Sequence, residues 1–251
     1  MLYRVLIFCL IFLSAKGFAE VRFTSPVKQT VFLELYTSEG CSSCPPADRW
    51  LSAQKEDPRL WKEVIPVAFH VDYWDYLGWK DAFSRAEYSQ RQRNYARWNN
   101  LRTVYTPGFL QNGQEWRGWI RSSRVNTGLG GEVGQLTVTI KNGGVMAQFS
   151  PVESIGDPLY LNVAWLGFDL ETEVRAGENE GRVLKHDFVS YHTDAIKGNV
   201  DEGVYTWQFK ASLAGLPIKR GAAFWVTRGS DPTPIQATGG WLDKTDANKP
   251  G

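Results

Sequence analysis

Residues Val31 to Leu51 constrain this chain more than any other stretch. Val-Phe-Leu-Glu-Leu-Tyr-Thr is followed by Ser38-Glu39-Gly40-Cys41-Ser42-Ser43-Cys44-Pro45-Pro46 and then by Ala47 to Leu51. The apolar run, broken only by Glu34, reads as a strand covered on both faces. Pro45 and Pro46 lack an N–H but hold φ near helical values, so they suit the first turn of a helix and no later position. The helix is expected to begin at or just before Pro45, run to about Gln54 and be ended by Asp57-Pro58. A Cys-x-x-Cys pair at such a turn has a chemical use. Unpaired helix N-terminal amides carry about half a positive charge, which stabilises a thiolate, and a lowered thiol pKa favours thiol–disulfide exchange.

Residues 1–19 read as a secretory signal: Arg4 supplies the positive region, Val5 to Leu13 the apolar core, and Gly17-Phe18-Ala19 the small-x-small cleavage site. The apolar run is too short to span a bilayer, so cleavage is expected rather than anchoring, with no membrane span afterwards. Cleavage removes Arg4 and Lys16 from 28 basic residues, leaving 26 against 27 acidic ones, a net of −1. With no basic block either, there is no charge argument for nucleic acid. Cys9 leaves with the signal, so an intramolecular disulfide in the mature chain must join Cys41 to Cys44, and a secreted or periplasmic location favours that bond. A purely structural staple is the competing reading. Closing so short a loop removes far less entropy than the ~3 kcal/mol of a 15-residue loop, so reactivity explains the pair better.

Along the chain, Val64 to Val71 forms a second strand, parallel to the first through a right-handed crossover. An aromatic loop follows, with Tyr73, Trp74, Tyr76 and Trp79, which either lines a partner surface or packs into the core. Asp81 is expected to cap a helix to Trp98 whose arginines form a solvated face. Tyr105-Thr106-Pro107 opens a further strand, Asn112-Gly113 is a two-residue hairpin turn, and Trp119 to Val125 suits a short closing helix. Beyond the Gly-rich 126–131 stretch the pattern is β, with six candidate strands: 135–141, 145–149, 159–166, 182–191, 204–213 and 222–227.

The first half resembles the thioredoxin-like superfamily, through the strand–Cys41-Ser42-Ser43-Cys44–helix unit and Thr106-Pro107 heading a hairpin strand. More closely, Leu35-Tyr36-Thr37-Ser38-Glu39-Gly40-Cys41-Ser42-Ser43-Cys44-Pro45-Pro46-Ala47-Asp48 is similar to the signature of a secreted bacterial group catalogued as domain of unknown function 1223. Gly177-Glu178-Asn179-Glu180-Gly181-Arg182, with Leu184 and His186, resembles that group's second motif. The expected fold is therefore an α/β thioredoxin-like N-terminal domain over residues 20–125, a linker at 126–131, and an all-β sandwich-like C-terminal domain over 132–251 serving recognition. The resemblance also implies a cis-proline at Thr106-Pro107 facing the cysteines and presenting the Thr106 carbonyl as a docking edge.

Exchange with exported protein thiols or disulfides, without a cofactor, is the expected function. Cys41 is the exposed nucleophile and Cys44 the buried resolving thiol. Glu34, a carboxylate in a buried strand, suits a proton acceptor for Cys44, or else pairs with an arginine. His70, at the end of the second strand, raises an alternative: a binding protein or copper(I) metallochaperone using Cys41, Cys44 and His70. His186 and His192 have no matching ligand spacing.

Overall fold

The computed structural model describes residues 20–99, 103–128, 130–156 and 158–242, so the expected signal segment lies outside the described residues. Two α-helices and fifteen strands occur among them. β1 (Val21–Thr24) and β2 (Val31–Thr37) precede α1 (Pro45–Ser52), β3 (Val64–His70) and α2 (Ala86–Trp98). β4 (Gly108–Gln111) and β5 (Gln114–Glu115) form a hairpin through Asn112-Gly113, where both residues take the positive φ that this turn requires. β6 (Gly134–Lys141) and β7 (Gly144–Pro151) form another through Asn142-Gly143. There follow β8 (Leu159–Gly167), β9 (Leu170–Glu173), β10 (Val183–His186), β11 (Val189–Lys197), β12 (Asn199–Asp201), β13 (Val204–Lys210), β14 (Arg220–Arg228) and β15 (Gln236–Trp241).

The strands assemble into an eight-stranded sheet, β15-β14-β8-β11-β3-β2-β4-β5, a five-stranded sheet, β1-β6-β7-β13-β12, and the separate hairpin β9–β10. This overturns the expected fold class. An α/β thioredoxin-like domain followed by its own sandwich would close two sheets, one in each half. Instead strand far outweighs helix among the described residues, and the largest sheet runs through both halves. β3 pairs in parallel with β11, where the Ala68 N–H donates to the Phe188 carbonyl at 2.8 Å. The 20–29 lead-in crosses the other way, since β1 pairs with β6 of the five-stranded sheet. Strands from before and after the 126–131 stretch are therefore hydrogen-bonded to each other in both large sheets.

Two cores pack against the eight-stranded sheet, and on β8 and β14 strand alternation explains how residues are divided between them. Trp165 and Phe224 point toward the five-stranded sheet, among Leu136, Val138 and Phe149. Their chain neighbours Leu166 and Trp225 point to the other face, among Phe32, Phe69, Tyr88 and Tyr95. Burial on both faces is why β2, β3 and β14 read as nearly continuous apolar runs. Two helix expectations also change. The 119–125 segment makes only a 3₁₀ turn at Gly118–Ile120, and α2 starts at Ala86 rather than Asp81, whose carboxylate is engaged elsewhere.

Candidate functional site

β2 delivers Ser38 to Cys44 to the start of α1, and Cys41 and Cys44 are joined in a disulfide with Cα atoms 5.4 Å apart. Cys44 is the N-cap residue of α1 and makes no side-chain cap bond. The amide supply differs from an ordinary helix start. Pro45 and Pro46 have no N–H, and the Ala47 and Asp48 N–H groups both donate to the Cys44 carbonyl. Contrary to expectation, Cys41 is not exposed: it is 1% accessible and Cys44 is fully buried. Ser42 and Ser43 are exposed, and the Ser43 hydroxyl lies 3.4 Å from the Cys41 sulfur.

The Thr106–Pro107 peptide bond is cis. The aromatic loop ties it to the cysteine turn. Trp74 packs so closely against Gly40 that a Cβ there would sit 3.0 Å from the Trp74 Cβ, and its indole N–H donates to Thr106 Oγ1 at 2.8 Å. Trp74 and Tyr73 pack against the core while Tyr76 is exposed, so the loop is divided between the two roles its sequence admits. An open groove of about 380 Å³ runs alongside, lined by Ser43, Pro107, Trp119 and Ile120, with Thr103, Tyr105 and Arg117.

Glu34 is fully buried and closed off by partners: the Arg91 Nε donates at 2.8 Å, the Tyr36 hydroxyl at 2.8 Å and the Tyr95 hydroxyl at 2.6 Å. Its carboxylate is committed to an arginine, the alternative its sequence position left open. Arg91 is thereby drawn out of the expected solvated face of α2.

A different set of buried polar groups stands behind the disulfide. Asp48 lies one helical turn after Cys44 and accepts from Thr37 Oγ1 at 3.1 Å. Burial pushes its carboxyl above the usual aspartate value, against the opposing pull of His186 and His70. His70 Nδ1 sits 2.7 Å from Asp81 Oδ2, and the same oxygen accepts the Glu39 N–H at 2.9 Å. Burial alone would lower the His70 pKa, but the Asp81 charge and hydrogen bond raise it. Burial would likewise raise Asp81, yet His70 holds it below the ordinary value. His186 Nε2 lies 3.3 Å from Glu39 Oε1, and the His70 and His186 rings meet edge to face at 4.9 Å. Among the described residues no three His, Cys, Asp or Glu side chains converge as a metal site, so Cys41, Cys44 and His70 do not form the three-donor set of the copper reading.

The loop between β9 and β10 completes the surroundings. Asn179 is fully buried and donates from Nδ2 to the Glu39 carbonyl at 2.8 Å and the Cys41 carbonyl at 2.9 Å, and Glu178 Oε2 accepts the Ser42 N–H at 3.0 Å. The second-half motif thus meets the first across more than 130 residues of sequence. The model of the family described as protein of unknown function DUF1223 matches residues 32–227, which include both motifs. The chain belongs to this family. No curated protein matches this DUF1223 protein in sequence. Its fold is similar to two solved structures. Protein AGR_C_4864 from Agrobacterium tumefaciens aligns with a TM-score of 0.63 at 22% identity, covering 86% of this chain and 96% of that one. HBP35 of Porphyromonas gingivalis aligns with a TM-score of 0.62 at 18% identity, covering 90% and 80%. Both likenesses are of fold alone. Asp48, Glu178, Asn179 and His186 of the DUF1223 protein lie within the two motifs, but their spacing announces no chemical role, and Asp81 reads in the sequence only as a helix cap.

Proposed function

We propose that this DUF1223 protein is an exported thiol–disulfide exchange protein whose working bond is Cys41–Cys44. The observation that carries the proposal is the disulfide itself, spanning three positions at a helix start, with Ser43 between its cysteines lining the same groove as cis-Pro107. So short a loop contributes little as a staple. The Arg4, Val5–Leu13 and Gly17-Phe18-Ala19 pattern supports export.

In the proposed reaction a partner thiolate, docked along the groove, attacks the Cys41 sulfur. The Cys41–Cys44 bond breaks, a mixed disulfide forms, and the Cys44 sulfur leaves with the electron pair. Asp48, one helical turn after Cys44 and with its carboxyl pushed up by burial, is the group we assign to pass a proton to the departing Cys44 sulfur, in place of Glu34. A second partner thiolate then attacks the partner sulfur of the mixed disulfide and releases Cys41. The partner dithiol is oxidised and the Cys41–Cys44 pair is reduced; the reverse direction uses the same steps. Cys44→Ser is expected to accumulate mixed disulfides with exported proteins through Cys41, while Cys41→Ser accumulates none. If both variants trap equally little, the proposal loses its main support.

A further inference from the structure

The β9–β10 loop is built as a strap. Its turn is closed by its own backbone bonds, from the Val174 N–H to the Arg182 carbonyl and from the Gly181 N–H to the Val174 carbonyl. Gly177 takes a φ of +79°, which a side chain would strain. Val174 and Leu184 anchor the strap in the interior, and Arg182 fixes the Asn179 amide by donating to its Oδ1 at 3.0 Å. The strap grips the cysteine turn through the backbone: Asn179 holds the carbonyls of Glu39 and Cys41, and Glu178 takes the N–H of Ser42. His186, at the end of β10, reaches Glu39 from the same hairpin.

We infer that this strap is the element that sets the redox behaviour of the disulfide: Asn179 restricts access to Cys41, and Glu178 is a positioning residue whose carboxylate holds the pair toward the disulfide form. The inference rests on the exchange reading of Cys41–Cys44 and deepens it. The electrostatic sign follows from the contacts. An amide beside Cys41 that would favour a thiolate is engaged by an anion, and the anion itself opposes a second negative charge on the neighbouring sulfur. The Ser42 hydroxyl and N–H hold the Glu178 carboxyl below the usual glutamate value, so it is ionised at neutral pH. Destabilising the thiolate removes a stabilisation of the reduced form and lowers the reduction potential. The shielding rests on placement: Asn179 is fully buried against the Cys41 carbonyl, and Cys41 is 1% accessible although Ser42 and Ser43 beside it are exposed.

The test equilibrates the full chain and its variants with glutathione buffers and separately measures the rate of reduction by a small thiol. Glu178→Gln keeps an acceptor for the Ser42 N–H and removes only the charge. It is expected to shift the equilibrium toward the dithiol at least threefold, which is about 14 mV at 29.6 mV per tenfold. The difference from wild type is expected to shrink in 1 M salt, where the screening length is about 3 Å. A purely structural contact would not show that salt dependence. Asn179→Ala is expected to speed reduction of the disulfide at least fivefold. A Glu178→Gln equilibrium equal to wild type at low salt overturns the charge role, and an unchanged reduction rate in Asn179→Ala overturns the shielding. A wild-type disulfide that glutathione reduces at no ratio overturns the exchange reading and this inference with it.

Discussion

Residues 20–125 produced without the rest of the chain are expected to show no cooperative thermal transition, no near-ultraviolet circular dichroism of packed aromatics, and strong binding of a hydrophobic dye. The fragment keeps β2, β3, α1 and α2 but loses what covers them. β3 becomes a bare edge once β11 is gone. Phe32 loses the Trp225 ring stacked on it at 4.6 Å, and Phe69 loses the same ring at 6.5 Å. Leu166, Phe168, Phe188 and Ala223 leave the same core. Each large apolar side chain left uncovered costs about 1.5–3 kcal/mol. Several together exceed the ~5–15 kcal/mol by which a domain is stable. A sharp melting transition with native-like aromatic signals would show instead that the first half closes its own core.

Arg91→Met is expected to destabilise the whole chain by about 3–5 kcal/mol, the range for removing one partner of a buried ion pair. Glu34 would be left fully buried with two tyrosine hydroxyls as its remaining donors. The substitution also removes a guanidinium stacked 4.9 Å from the Trp225 ring and 5.3 Å from Phe69. Urea unfolding of Arg91→Met and of Arg91→Met with Glu34→Gln separates these contributions. The double variant should recover much of the loss, because no carboxylate remains to be compensated. A single-variant loss below about 1 kcal/mol would mean that the pair behaves like a surface contact.

The local elements were legible where short-range chemistry determines them. β2, the cysteine turn, α1 and β3 follow from apolar runs and the positions of Pro45 and Pro46, and both Asn-Gly turns lie where positive φ is needed. What escaped was assembly. Nothing in Val64–His70 tells which strand will pair with its second edge, so two halves with plausible patterns read as two separate folds. The 182–191 stretch reads as one strand, but the chain breaks at Asp187-Phe188, with Phe188 at a φ of +58° that no glycine or asparagine announces. β15 carries Gly239 and Gly240, poor strand formers, and a Cβ at Gly239 would lie 2.5 Å from the Ala222 carbonyl oxygen, so the glycines serve close packing rather than a turn.

The site divided in the same way. Cys41, Cys44 and the Thr106-Pro107 pair stand out because their chemistry is tied to residue type and spacing. The hydrogen bond on the Cys41 carbonyl and the closure of Glu34 come from residues far away in sequence, Asn179 and Arg91, whose contributions no spacing rule reveals. Asp48 does not stand out in the sequence, because an aspartate in the first turn of a helix has an ordinary explanation in the helix dipole.

Whether Cys41 and Cys44 exchange disulfides is tested most directly by the reduction potential of the pair in the full chain, measured against glutathione and dithiothreitol buffers. Exchange predicts a value between about −120 and −270 mV, whereas a value below about −300 mV, the range of structural disulfides in secreted proteins, would contradict it.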